Sequence, residues 1–370
     1  MPHAIHHDPD GSLEMLRDSA RSFAARRPGP AALREKRNAG GDVDPAVWSA
    51  MAEAGWTALM LSEDAGGAGL GIREQAVLSE ALGAALVSEP LATAGVMPAV
   101  LLSGAPSSPE RDRLASALAS GALVAVACQD SAEPLRAVRN GAGVRLSGGK
   151  RFVDAAKSAS GFLVAADDGA EPFLLSVPAG SAGLRIVERP TVDGATVATL
   201  SFMDVTVGSG HVLVSGMAVG PLLDEAIACA RVAIAAELAG IASSAVERTI
   251  AYTKDRVQFG KPIASFQAVQ HRLVDMWTDA EFACASVVRA VDAFDVPDTH
   301  ARRLAVFAAK ARCGEAAVSI CRRAVHLHGA MGFTDEHDIG LFLKRAIALN
   351  ATLGQAEAMR LAFVDLERAA

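Results

Sequence analysis

Two long runs of apolar residues, each repeating every three or four positions, flank a stretch that cannot continue a helix. Ile227, Ala230, Ile234, Leu238, Ile241 and Ala245 form the first run. Phe266, Val269, Leu273, Trp277, Ala280, Cys284, Val287 and Val291 form the second. This period predicts two buried helix faces. Gly260 and Pro262 lie between them and break the helix. The chain must therefore hold two long helices joined by a tight turn. That turn, residues 256–263, presents Arg256, Gln258 and Phe259. It reads either as an ordinary helix hairpin with a surface arginine or as an anion clamp, because a guanidinium fixed near a turn suits a phosphate.

The remaining sequence sorts around this pair. Up to about residue 120 the pattern is helical. Leu13, Leu16, Ala20 and Phe23 make one short amphipathic face, stopped by Pro28-Gly29-Pro30. Asp44 and Pro45 read as an N-cap and a first helical position, opening a helix through Val47, Met51 and Ala54. Further helices are predicted from about Ile72 to Val87 and from Arg111 to Ala119. Just before the first of these, the glycines at 66, 67, 69 and 71 read as a tight connection needing positive φ. From about Ala122, short apolar runs alternate with Gly, Asp, Pro and Asn clusters up to Phe202. They predict a meander of strands, a small β-barrel or sandwich. The chain is helical again from about Leu222. Leu304, Phe307, Ala311, Ala317, Ile320 and Val325 mark a third long helix, and a last helical region from Leu341 to Leu366 is interrupted near Gly354. Four antiparallel helices make a bundle. The expected fold is α+β and mostly α. It has an N-terminal helical domain at 1–120, a middle β domain at 121–213 and a C-terminal four-helix bundle at 214–370.

Composition narrows the function. The chain is 51% hydrophobic but only 5% aromatic, so alanine carries much of the apolar content and favours close-packed helices. A net charge of −7 argues against a nucleic-acid partner. The five cysteines show no C-x-x-C spacing, and four lie on predicted helices, so buried thiols are expected rather than disulfides. Arg231 and Glu237 interrupt the apolar runs, and no membrane span is expected. The N-terminus, with His3, His6, His7, Asp8 and Asp10, lacks the order of a signal peptide, which points to the cytoplasm. His326 and His328 form an H-x-H pair, but Asp335, Glu336 and Asp338 read as a solvated turn, so no metal site is expected. Trp48, Trp56 and Trp277 fall on apolar faces and read as core.

Three motifs carry a resemblance. The run RVQFGKPIASFQAVQ matches R-x-x-F-G-x-x-I-x-x-F-Q-x-x-Q. SEDAGGAGLG is similar to P-E-x-x-G-G-x-G-x-G, and HLHGAMGFT to Q-x-x-G-G-x-G-F-T. In this order and spacing they resemble the acyl-CoA dehydrogenase family over nearly the whole chain. The short length and the H-x-H-G-x-x-G-F-T-x-E-H-D run resemble the smaller chains of its two-component members, such as those of pimeloyl-CoA and steroid side-chain dehydrogenases.

The resemblance implies FAD as cofactor, an acyl-CoA as substrate and an electron-transfer flavoprotein or similar acceptor. It also implies a homo-oligomer, or a heterotetramer with a longer homologous chain. By matched position, Arg256, Gln258, Phe259 and Gln267 would meet the adenine half of a neighbouring subunit's FAD. His326, Leu327 and Gly329 would make its other contacts from the partner. Phe152, Val153 and Asp154 match the strand against the isoalloxazine, and Gln129 the preceding strand. Plain β-core is the alternative for these strand residues. Two departures stand out: His326 where the family usually has Gln, and Ala330 where it has Gly.

The implied reaction is α,β-dehydrogenation of an acyl-CoA thioester, in which a carboxylate takes the α-proton and the β-hydrogen goes to flavin N5. Most members carry a Glu just before a Gly in the last helical region, where this chain has Leu353 before Gly354. A second group places it before an Arg on the preceding helix, where this chain has Ala230 before Arg231. Neither side chain takes a proton. The nearest substitute is Glu237, two turns after Ala230, and Glu237 with Arg231 is the expected catalytic set. Its apolar flanks, Ala236 and Leu238, should raise its pKa. The competing account is an ion pair with a neighbouring cation such as Arg231, or a structural hydrogen bond into the bundle. Three readings follow: an enzyme with a relocated base, a FAD-holding subunit whose partner supplies the base, and a flavin-binding homologue without dehydrogenation.

Overall fold

Helices occupy both ends of the chain and strands its middle, where the hydrophobic period changes from about 3.6 to 2. The structure is a computed structural model, and it describes residues 2–27, 29–141 and 143–369. Its N-terminal helices are α1 (Ser12–Arg26), α2 (Gly29–Ala39), α3 (Pro45–Glu53), α4 (Ile72–Ala84), α5 (Met97–Gly104) and α6 (Pro109–Ala119). The Pro28-Gly29-Pro30 stop separates two helices, with Pro28 itself outside the described residues. Asp44 caps α3: its carboxylate accepts from the amides of Ala46 and Val47 at 2.8 and 3.1 Å. A π-helical turn, Ala92–Val96, precedes α5.

The strands are β1 (Val124–Ala127), β2 (Gln129–Asp130), β3 (Arg136–Asn140), β4 (Gly143–Asp154), β5 (Gly161–Asp167), β6 (Pro172–Pro178), β7 (Leu184–Pro190), β8 (Thr196–Gly208) and β9 (Val212–Ser215). They form one sheet in the order β7-β8-β4-β3-β5-β6-β9, with β1 beside β5 and β2 beside β4. Only β1–β5 and β3–β5 are parallel. Phe162, Phe173, Leu146, Leu175, Leu200 and Phe202 alternate along the strands and meet in one buried cluster.

The second half of the chain is α7 (Val219–Asp255), β10 (Val257–Gln258), β11 (Lys261–Pro262), α8 (Gln267–Asp292), α9 (Thr299–Leu327), α10 (Ile339–Ala351) and α11 (Ala356–Arg368). The interruption near Gly354 divides two separate helices. The chain folds as two compact units, Lys36–Gly71 with Glu89–Ala230, and Met1–Glu35 with Ile72–Ser88 and Arg231–Ala370. The first holds the sheet. In the second, α4 crosses α7 so closely that two glycines are required. A Cβ on Gly83 would lie 2.3 Å from the Glu237 carbonyl oxygen, and one on Gly240 would lie 2.0 Å from that of Glu80.

Two expectations need correction. Gly216–Asp255 is a helix long and apolar enough to cross a membrane despite Arg231 and Glu237, but 83% of its most apolar window is buried, as befits a core helix. Trp277 is 36% exposed rather than core. The stripe read from Phe266 onward is buried only from Ala280, because little of the chain covers the first half of α8; Val274 is exposed there as well. Trp48 and Trp56 are buried, and the Trp48 indole donates to the Gly121 carbonyl. Cys229, Cys284, Cys313 and Cys321 are buried thiols outside any disulfide, and Cys128 is half-buried and likewise not disulfide-bonded. Burial pushes the Cys313 thiol up to about 12, so it is unreactive.

Candidate functional site

The helix break between α7 and α8 is a miniature hairpin in which Gln258 pairs with Lys261 and Val257 with Pro262. Its two-residue tip is Phe259-Gly260, both at positive φ, 51° and 76°, the pattern of a type I′ turn. Glycine adopts it freely and phenylalanine does not. The strained Phe259 is also 92% exposed. Its ring stands edge-on to Phe266, which Lys261 covers with its ammonium 4.4 Å from the centroid. Arg256, Gln258 and Gln267 are exposed around the hairpin. At the end of α9, His326 is exposed, Leu327 half-buried and Gly329 at φ 62°. Arg272 on α8 donates to His326 Nδ1 at 3.1 Å. The sequence reading missed Arg272, although it lies only five residues after Gln267.

In the other unit, β4 is bulged against β8 between Lys150 and Val153. The bulge puts Phe152 at φ 55° and 57% exposed. Val153 points inward and is buried, so its side chain belongs to the β-core. Asp154 is half-buried and accepts a 2.8 Å hydrogen bond from Thr93 Oγ on the π-helical turn. Gln129 on β2 pairs with Arg151. Bulges and π-turns re-aim side chains and mark sites where geometry has been adjusted for use.

The two positions at which the resemblance led us to expect a base, 230 and 353, carry buried apolar side chains. Ala230 is fully buried. Leu353 sits at φ 53° before Gly354 at φ 108°. Two cations hold this turn. Arg231 Nε donates to the Leu353 carbonyl at 2.9 Å. Lys310, fully buried, donates to the carbonyls of Leu349, Asn350 and Gly354 at 3.1, 3.0 and 3.0 Å. Three acceptors match the three protons of an ammonium, and the carbonyls at the end of α10 attract a cation. Burial, with the nearby Arg231 charge, still pulls Lys310 down to about 7. Asn350 Oδ1 accepts from the Ala356 amide and so starts α11.

Glu237 has a different setting. Its Oε1 accepts from both Nε and an Nη of Arg345, at 2.9 and 2.8 Å. Both side chains are buried, and the Glu237 backbone lies at the Gly83 crossing. The cation the sequence suggested as its partner, Arg231, serves the Leu353 turn instead, with its guanidinium over the Phe307 ring. No group of three or more His, Cys, Asp and Glu able to hold a metal occurs among the described residues.

This architecture is that of a three-domain flavin-dependent dehydrogenase, and the comparisons with known proteins agree. The chain belongs to the acyl-CoA dehydrogenase family: the model for the N-terminal domain matches residues 11–122 and that for the C-terminal domain matches residues 221–364. It is 31% identical to acyl-CoA dehydrogenase IpdE2 of Mycolicibacterium smegmatis, over 92% of this chain and 94% of that protein. A solved Tcur3481–Tcur3483 steroid ACAD variant is 30% identical, with a TM-score of 0.86 over 97% of this chain and 98% of that one. The ChsE4–ChsE5 complex from Mycobacterium tuberculosis is 24% identical and shares the fold, with a TM-score of 0.87 over 98% of each chain. FAD is the cofactor of this family. Each unit has residues that suit it: in one, Arg256 and Arg272 are cations suited to a pyrophosphate beside the exposed Phe259 ring at positive φ, and in the other Phe152 is an exposed ring at positive φ.

Proposed function

We propose that this chain is the FAD-holding subunit of a two-chain acyl-CoA dehydrogenase that desaturates an acyl-CoA thioester between its α and β carbons, and that a longer homologous chain supplies the base. One observation carries this reading. Both positions that hold a base in the family are apolar, Leu353 and Ala230, while Glu237 is buried and engaged by Arg345. A base must reach the α-proton directly or through one water. A carboxylate committed to a buried guanidinium is instead a structural pair.

FAD, when bound, would supply the hydride acceptor. Phe152, Asp154 and Gln129 would line its ring, with the backbone of Val153 completing that strand. Arg256, Gln258, Phe259 and Gln267, with His326, Leu327 and Gly329, would hold the adenine half belonging to a neighbouring subunit. Arg231 keeps the Leu353 turn in shape rather than touching substrate. The exposed Phe259, Val274 and Trp277 favour a covering subunit over this face. The 30% identity to a chain of a two-chain steroid ACAD supports the heteromer.

The test is anaerobic flavin bleaching. The chain is purified alone, and separately with a longer homologous chain encoded beside it, and each preparation receives a panel of saturated acyl-CoA thioesters. Bleaching by the pair and not by the single chain is expected. Bleaching by the single chain, abolished in Glu237→Gln with flavin retained, would return the base to this chain.

A further inference from the structure

Near the C-terminal end of α7, Tyr252 stacks on His328, with ring centroids 4.3 Å apart and planes 24° from parallel. His337 closes the group, 4.6 Å from the His328 ring and edge-on to Tyr252 at 6.3 Å. The Tyr252 hydroxyl donates to the His328 carbonyl. The hydrogen bonds assign the tautomers. His328 Nδ1 lies 2.8 Å from the Ala324 carbonyl, so it carries the proton and Nε2 bears the lone pair. That Nε2 is buried and has no partner, in a residue only 2% exposed. His337 Nδ1 accepts from the Ile339 amide, so its proton is on Nε2. Both rings are therefore neutral in this arrangement.

The segment carrying His337 is lashed down by charge. Arg34 on α2 donates to the carbonyls of Asp335 and Glu336 and to the Asp338 carboxylate. Arg248 on α7 pairs with the same carboxylate at 3.6 Å. Asp338 favours a proton on His337, while Arg34 and Arg248 oppose it. Burial opposes a proton on His328 first, and a proton on His337 would oppose it further. The phenolic ring of Tyr252 completes the surroundings.

We propose that Tyr252, His328 and His337 form a proton-operated clasp that holds residues 329–338 closed near neutral pH and releases them on acidification. A proton arriving at His328 Nε2 would bury a cation with no acceptor beside a second imidazole. A proton on His337 would join two guanidiniums. Opening the segment lets both imidazoles meet water. The sign follows. Burial lowers both histidines below 6.5 in the closed form. The open form then binds more protons, so closure is complete above that value and is lost as the pH falls through the lowered ones. This clasp does not depend on the reading of the reaction. If Gly329 and His326 do hold a cofactor, its grip would loosen together with the clasp.

Hydrogen exchange of the peptide spanning 329–338, in the full-length purified protein, tests this. After correction for intrinsic exchange, opening should rise by about tenfold or more between pH 7 and pH 5. His337→Asn retains an acceptor for the Ile339 amide but cannot titrate, and its profile should be flatter. An equal rise in parent and variant would overturn the clasp. Should the variant not fold, histidine titration by NMR in the parent decides: midpoints for His328 and His337 below 6.5 support the clasp, and midpoints at or above 6.5 refute it.

Discussion

Two turns in this protein join long helices, and they are built in opposite ways. The α10–α11 turn at Leu353-Gly354 faces inward. Lys310, Arg231 and Asn350 satisfy its backbone from three directions. The α7–α8 turn at Phe259-Gly260 faces outward, with a strained aromatic at its tip. The interior turn is bonded on every side and presents an apolar residue, Leu353. The exterior turn makes little sense within one chain, since a 92%-exposed phenylalanine at positive φ costs stability locally. Scaffolding bonded to the rest of the fold is explained within the chain, because it also holds two helices. An exposed, strained element is better explained by something outside the chain.

Breaking the interior turn should have the largest effect. Lys310→Met leaves three buried carbonyls without a donor, and unfolding in urea should show a loss of about 3 kcal/mol or more. The pH dependence of the parent should carry the same lysine. Its pKa is about 7 folded and 10.5 in the reference state, so between those values the unfolded chain binds more protons and stability rises with pH. Lys310→Met should lose that rise, measured as unfolding free energy across the window.

Leu353→Glu asks whether the interior turn still presents its residue to substrate. General-base catalysis is worth about 10²-fold at its lower end, so the isolated FAD-loaded variant should bleach with a suitable acyl-CoA about a hundred times faster than the parent. An unchanged rate would mean that the turn no longer faces a substrate.

Arg256→Ala tests the exterior turn. Loss of a charge-assisted phosphate contact, about 1.5–3 kcal/mol, should lower flavin occupancy with little change in unfolding free energy. Light scattering of flavin-loaded protein should show a dimer or larger; a flavin-loaded monomer would end the idea of a contact to the neighbour's cofactor. Phe259→Gly should have the smallest effect on folding, a gain of about 1 kcal/mol from relieved strain, coupled to weaker flavin retention. A loss of single-chain stability would show that Phe259 serves its own subunit.

The helices were legible because their apolar period and their breakers agree: Asp44-Pro45 opens α3, and Gly260 interrupts α7 and α8. The strand meander was legible from the short apolar runs between turn residues. The site was less so. Period 3.6 assigns Trp277 and Ala280 to one face but cannot tell which stretch of that face the chain itself covers. The Glu237–Arg345 pair joins residues 108 positions apart, so local sequence offered only Arg231 as a partner. Lys310 fared worse. A lysine in an alanine-rich helix reads as solvated, and only its three carbonyls mark it as the clamp of the Leu353 turn. The strained Phe152 and the π-turn at Thr93 leave no compositional trace.

The crossing of α4 over α7 has a consequence for synthesis. Gly83 and Gly240 each bury the other helix's backbone, so α4 cannot complete its packing until the chain has been translated about 157 positions further. At roughly 5–20 residues per second, the wait is about 8–30 s. During it the face of α4 around Glu80 and Gly83 has no native cover from α7. Helix α4 is thus early to emerge and late to settle, and a nascent chain stalled before Gly240 leaves its crossing face open.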